Sequence, residues 1–331
     1  MTVPQPTSRD PRHRTFGKRA LVLVLAAVLA LGGILFALAD RYLIPHVEAV
    51  ALPATPTAPA SGDATPAVTA DATDTSGTVV STATDYVSDD LAIHIAKVVT
   101  GTGNATVTYY VADVTVSDVS LLLSAFPNDT FGRNITADTS VVAAAHDALF
   151  AINGDYFGFR ADGVEIRNGV LYRDEPARVG AAIYADGTMD FYDETRVSAA
   201  TLLADGALQT LSFGPVLVDD GVVRTDFTGY RVDTNMGNAS SIAGSNPRTG
   251  IGMISANHYV FVVVDGRSPG YSAGLTLAKF AQVFRDLGCT QAYNLDGGGS
   301  STMYFQGAVV NDPLGRGQER GVSDILYIKE E

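Results

Sequence analysis

The sequence predicts an α+β fold: a mixed β-sheet domain with few helices, preceded by an N-terminal transmembrane helix. Three observations carry this. Runs of β-branched and aromatic residues outnumber helical patterns. Only one long stretch after residue 90 has a clear helical period. Strands and helices do not alternate in the regular way that a parallel βαβ sheet requires.

Residues 1–19 hold Arg9, Arg12, Arg14, Lys18 and Arg19 against Asp10 alone. The rest of the chain keeps 17 of the 22 basic and 35 of the 36 acidic residues, a net charge of −18. So acidic a body is a poor partner for nucleic acid, which demands a basic face. Cys289 is the single cysteine, so no intrachain disulfide forms and compartment is not legible from cysteine usage. Residues 20–39 are apolar and free of charge until Asp40, long enough to cross ~30 Å of hydrocarbon as a helix. The basic residues before them place the tail of residues 1–19 on the cytoplasmic side and the remainder outside. A cleaved signal peptide, with secretion, is the alternative, since Ala37-Leu38-Ala39 resembles a cleavage site. The apolar stretch exceeds the usual signal core, which favours a single-pass anchor in the cell membrane. Residues 40–90, rich in Pro, Ala, Thr and Asp from about residue 47, are expected to form a disordered stalk, because they bury too little surface to offset chain entropy.

From 91 to 331 the pattern is one globular domain. "VTYYVADVTV" (107–116) is strand-like. The stretch from Asp138 to Phe157 reads as a short helix capped near Thr139 or Ser140, then a strand over 149–153. "VLVDDGVV" (216–223) places Asp-Gly between apolar runs, a hairpin signal. Strands are expected near 249–255 and 259–264. Leu277, Phe280, Val283, Phe284 and Leu287 fall at spacings of three and four, with Thr276 to cap the helix and Gly288 to end it. Strands over 292–296 and 302–307 follow.

Polar clusters close several of these strands: Asn153-Gly154-Asp155, Asp265-Gly266-Arg267, and Asn294-Leu295-Asp296-Gly297-Gly298-Gly299-Ser300-Ser301. Strand ends are where a sheet holds chemistry on a rigid scaffold, although Asn-Gly-Asp and Asp-Gly-Arg are also ordinary turn sequences. The glycine triplet is not a nucleotide loop, since a strand and no lysine follows it. Cys289, His146 and His258 read as packing or turn residues. Ser300 and Ser301 lack a Gly-x-Ser-x-Gly elbow and read as hydrogen-bonding groups.

"AINGDYFGFR", "FGPVLVDDG", "RTGIG", "VVVDGR", "TLAKFAQVFRDLGCTQAYNLDGGGSSTMYFQG" and "VVNDP…ER" stand in one order, and together they resemble the phosphodiester glycosidase family over roughly residues 137–330. The resemblance implies hydrolysis of the bond between an anomeric carbon and a phosphodiester oxygen, giving a sugar and a phosphomonoester. Consecutive backbone N–H groups of Gly297, Gly298, Gly299, Ser300 and Ser301 suit an anion. Arg248, Arg267 and Arg320 offer forked donors, and Asn153 and Asn294 add polar contacts. A departing phosphomonoester has a second pKa of ~6 and needs little acid assistance, so one carboxylate acting on water or on the anomeric carbon suffices. Asp296, Asp265, Asp155 and Glu319 are the candidates. Asp155, Asp265, Asp296, Asn153 and Asn294 also form an oxygen-rich set that suits Ca²⁺ or Mg²⁺, while no spacing points to zinc. Alternatives are a non-catalytic module for cell-surface polysaccharide and a metal-dependent phosphodiesterase. The polar stretch 224–247 is a candidate substrate-covering loop. The expected partners are a sugar-phosphate or glycan substrate at the cell surface and the membrane, through residues 20–39.

Overall fold

The computed structural model describes residues 12–48, 79–230 and 242–329. They divide into two compact units, with the boundary between Pro45 and His46. The first is a helix, α1 (Arg12–Tyr42). Within it Leu21–Asp40 is 20 residues long and apolar enough to cross a membrane, a test that an N-terminal signal sequence also passes.

The second unit is layered. A nine-stranded sheet runs in the order Val222–Val223, Val216–Asp219, Gln291–Asn294, Arg248–Ser255, His258–Val264, Val107–Val116, Leu91–Thr100, Asp85–Val87, Val80–Ser81. A five-stranded sheet runs Ala308–Val309, Met303–Phe305, Ala148–Asn153, Ile325–Lys329, Leu123–Ala125. A three-stranded sheet is centred on Val179–Tyr184, and Gly163–Arg167 pairs with Val170–Glu175. The α+β class holds. Every described strand pair is antiparallel, however, so strand direction is more uniform than a mixed sheet would be. Consecutive strands such as Arg248–Ser255 and His258–Val264 join through tight turns that reverse direction.

Strand His258–Val264 shows how the layers arise. Successive side chains alternate between faces. Tyr259, Phe261 and Val263 enter the core shared with the five-stranded sheet, where Phe261 meets Phe150 with ring centroids 5.1 Å apart. Val260, Val262 and Val264 point the other way, onto Phe280 and Phe284 of an amphipathic helix. That helix spans Leu277–Asp286. Thr276 caps it by accepting the Lys279 N–H at 3.3 Å, and Gly288 follows in the left-handed conformation that ends helices. Each fully buried phenylalanine contributes about 1.5–3 kcal/mol. The far face of the five-stranded sheet is covered by a helix over Thr139–Ala145, and Ala199–Ala204 packs on the three-stranded sheet.

Three expectations shift. The folded unit begins before residue 91, because Val80–Ser81 and Asp85–Val87 extend the large sheet. His46–Val47 also pairs with Gly132–Arg133, and Glu48 holds Arg173 at 2.8 Å. The stalk assigned to 40–90 is therefore structured at both ends, and its part over 49–78 lies outside the described residues. Asp138, not Thr139 or Ser140, stands at the N-cap of the helix Thr139–Ala145, without a side-chain cap of its own. Finally, His258 opens a strand and meets Asp113 at 2.7 Å. The candidate cover loop 224–247 falls partly outside the described residues, over 231–241.

Candidate active site

The two large sheets meet at the ends of Ala148–Asn153 and Gln291–Asn294. Asn153 fastens them: its Oδ1 accepts from Thr249 Oγ1 at 2.7 Å and Thr302 N at 3.2 Å, and its Nδ2 donates to the Asp296 carbonyl at 2.8 Å. The turn after Asp296 is tight. A Cβ on Gly297 would lie 2.8 Å from the Pro247 carbonyl oxygen, and Gly298 adopts φ +67° beneath the Arg267 guanidinium. The glycines thus allow close approach of the protein's own backbone. Two of the turn's amides are taken, since Gly298 N–H donates to Pro247 and Ser300 N–H to Gly297. The five amides do not all face outward as the sequence suggested.

Asp296 sits in this turn, 5% exposed. Its Oδ2 accepts from Ser300 Oγ at 2.7 Å and from Arg320 Nη2 at 2.9 Å. Burial pushes the carboxyl above the usual carboxylate range, and Arg320, Ser300 and the Gly297 N–H offset this only in part. The Arg320 side chain is 48% exposed, so its fork binds Asp296 and Ser300 while remaining open to solvent. Beside it, Asn294 Oδ1, Ser301 Oγ and Thr302 Oγ1 are buried without a hydrogen-bond partner among the described residues. Buried polar atoms are rarely left so, and these three are enclosed by the protein itself.

Other predicted residues take supporting places. Asp265 accepts from Asn311 Nδ2 at 2.8 Å, Tyr271 OH at 2.7 Å and Asp312 N at 3.1 Å. Asn311 donates in turn to the Ser301 carbonyl at 2.9 Å. Asp265 therefore braces the hydroxyl-bearing turn, and burial raises its carboxyl as well. Arg267 donates to Asn246 Oδ1 at 2.9 Å and overlies Gly298. Asn294 donates to the Gly214 carbonyl at 2.8 Å.

Three predicted residues lie apart from this constellation. Arg248 is buried and turned away: Nε donates to Leu275 O at 3.0 Å, and Nη2 to the carbonyls of Ile242 and Gly244. Burial, with the charge of Arg267 nearby, lowers its guanidinium to about 10. It anchors the 242–247 segment rather than offering its fork to a phosphate. Glu319 faces the helix Thr139–Ala145, accepting from Ser140 N at 3.0 Å and Ser140 Oγ. Asp155 is enclosed, accepting from Arg160 Nη2 at 3.0 Å, Tyr156 N at 2.6 Å and Ser212 N. Burial opposes its charge, but Arg160, Arg167 and those two N–H groups leave it below the ordinary range. Among the described residues no three His, Cys, Asp or Glu side chains are placed to hold a metal ion. The carboxylates of the Ca²⁺ or Mg²⁺ set are instead engaged by separate N–H and O–H donors.

Asp155 belongs to a buried charged group that sequence reasoning missed. Asp324 accepts the Asp155 N–H at 2.7 Å and Arg167 Nε at 2.8 Å, and a Cβ on Gly154 would lie 2.3 Å from Asp324 Oδ1. Only glycine lets the chain pass there. Arg167 Nη2 stands 2.9 Å from Glu165 Oε2, but neither Glu165 oxygen has an aligned hydrogen bond. Burial and the Asp155 charge push the Glu165 carboxyl up to about 8, against Arg167 and Arg160. In "GVEIR" the charges alternate with Val164 and Ile166, which reads as a solvent face; here both faces are covered. Cys289 is buried and its thiol is raised to about 12, first by burial, as fits a packing residue.

The second unit is thus a layered antiparallel domain with polar residues gathered at its strand ends. Its residues 146–329 match the phosphodiester glycosidase family, and the chain belongs to that family. The match lies within the 137–330 span read from sequence motifs. Over 207 residues the chain is 34% identical to the SPbeta prophage-derived uncharacterized protein YomE of Bacillus subtilis (strain 168), covering 60% of this chain and 30% of that protein. It thus spans under a third of that curated relative. The catalytic domain of zebrafish N-acetylglucosamine-1-phosphodiester alpha-N-acetylglucosaminidase, auto-inhibited by its pro-peptide, superposes with a TM-score of 0.57 at 21% identity, covering 74% of this chain and 85% of that one. That likeness shows a shared fold.

Proposed function

We propose that the chain is a membrane-anchored, outward-facing glycosidase that hydrolyses the anomeric C–O bond of a sugar-1-phosphodiester. The observation that carries this reading is Asp296, buried at a strand end and tied to Ser300 and a half-exposed Arg320. Asp296 is the working carboxylate. Water oxygen bonds to the anomeric carbon, the C–O bond to the phosphate breaks, and its electron pair leaves with the phosphomonoester. Asp296 takes up the water proton. Arg320, half in solvent, stabilises the charge that gathers on the departing phosphate. Family membership and the N-terminal apolar helix support the reading.

The test incubates the full chain with α- and β-linked sugar-1-phosphodiesters, including an α-linked N-acetylglucosamine-1-phosphodiester, beside Asp296→Asn. Free sugar plus phosphomonoester, lost in the variant, is expected. Intact substrate across the panel, with glycan still bound, would replace the enzyme by a recognition module.

A further inference from the structure

The glycine turn after Asp296 is bordered by two guanidinium groups. A Cβ on Gly299 would lie 3.2 Å from Arg320 Cβ and Cδ and 3.5 Å from its Nε, and one on Gly298 would lie 3.3 Å from Arg267 Nη2. Arg320 Nη2 also donates to the Gly297 carbonyl at 3.3 Å. The two groups thus flank the single peptide unit between Gly297 and Gly298, with their Nη2 atoms at most about 11 Å apart by bond lengths. Hydrogen bonds of about 2.8 Å to two oxygens of one phosphate span ~8 Å between donors, and exposed arginine arms close the difference by rotamer changes.

The two arginines keep different company. Arg320 meets Asp296 at 2.9 Å. Arg267 is exposed and forms no ion pair among the described residues; its Nη2 donates to the neutral Asn246 side chain at 2.9 Å. Its backbone stands at φ +58°, a left-handed conformation that a long side chain rarely adopts. Such outliers gather at ligand clamps, where the surrounding structure holds them. In a chain of net charge −14, this strained and uncompensated cation faces the turn that carries the working carboxylate.

Charge balance gives the pair its use. Asp296, Arg320 and a bound phosphodiester together carry one negative charge in excess, and Arg267 cancels it. When water attacks the anomeric carbon, one of its protons goes to Asp296 and the other stays on the new sugar hydroxyl. The electron pair of the broken C–O bond makes the phosphomonoester a dianion. Neutral Asp296, the two arginines and the dianion again sum to zero. The negative charge passes from carboxylate to phosphate, and low-dielectric surroundings reward a step without net charge change.

We propose that Arg267 is the second phosphate ligand, forming with Arg320 a clamp that holds the departing phosphomonoester more tightly than the phosphodiester substrate. The proposal rests on the glycosidase reading for the identity of these two anions.

The test measures binding of methyl phosphate and dimethyl phosphate to the full chain in lipid nanodiscs, with empty discs as the control. Methyl phosphate is expected to bind about ten-fold more tightly, and Arg267→Gln should weaken it by about ten-fold or more. Arg196→Gln, at an exposed arginine beside Asp193, should leave it unchanged. Asp296→Asn fixes the neutral state and should tighten it. Equal binding of the two anions, no loss in Arg267→Gln, or weaker binding in Asp296→Asn overturns the clamp. Hydrolysis separates this failure from that of the enzyme reading. Arg267→Gln should raise the inhibition constant of the phosphomonoester far more than the KM of the diester. Equal rises in both remove the clamp and leave the glycosidase. No hydrolysis, with methyl phosphate still held through Arg267, removes the glycosidase and leaves a phosphomonoester-binding site.

Discussion

Asp155 and Asp296 stand in the same local setting, each two residues after an asparagine that closes a buried strand, one in each large sheet. Their surroundings set them apart. Asp155 has no exposed side-chain surface and is ringed by Arg160, two backbone N–H groups and, through its own N–H, Asp324. Asp296 leans on an arginine that is half in solvent. The net effect follows: donors outweigh burial at Asp155 and lower its carboxyl, whereas burial wins at Asp296 and raises it. A strand-end aspartate becomes structural when its donors close around it, and available for chemistry when one of them stays open.

That contrast is most sharply broken or upheld at Asp296 itself. Asp296→Asn should lower kcat/KM by about 10²–10⁴-fold. It should also leave thermal stability at neutral pH equal or higher. The sign follows from the raised folded-state value: this carboxyl's contribution is fully present below its unfolded value and is lost as pH rises through the folded one. A permanently neutral Asn escapes that loss. In a pH profile the acid limb of kcat/KM should accordingly lie above the range of an ordinary carboxylate.

Asp324→Ala should invert the pattern. It removes one member of a buried ion pair and strands Arg167, at a cost of about 3–5 kcal/mol in denaturant unfolding. Loss of activity in the fully folded protein, with no loss of stability, would contradict the structural assignment. Next in size is Arg320→Lys, which keeps the charge but loses the fork shared by Asp296 and Ser300. It should cost about ten- to hundred-fold in kcat/KM, with thermal stability little changed. Smallest is Glu165→Gln. A carboxyl held near 8 in the fold is ionised at pH 7 only in the unfolded chain, so Gln should be as stable as native or more so at pH 7. The native chain should lose stability as pH rises from the ordinary glutamate range to about 8, and the Gln variant should not lose that part.

Much of the fold is legible in the sequence because local rules agree there. The strand Val107–Val116, the helix Leu277–Asp286 with its Thr276 cap, and the Asp-Gly turn before Val222 all follow from spacing and turn chemistry. The site is legible only in part. The glycine turn and Asp296 stand out because their residue types are costly to keep in ordered structure without reason. Arg248 and Glu319 mislead, because sequence shows a charge but not the direction its side chain takes. Glu165, Arg167 and Asp324 are hidden because their partners lie up to 169 residues away in sequence, and an alternating charged strand looks like a surface. The start of the domain shifts because the strands Val80–Ser81 and Asp85–Val87 are too short to announce themselves.

The most direct measurement is hydrolysis of a sugar-1-phosphodiester by the full chain in ¹⁸O-labelled water, with mass spectrometry of both products. The account predicts label in the sugar and none in the phosphomonoester, because water attacks the anomeric carbon beside Asp296. Label in the phosphate would show P–O cleavage and contradict it.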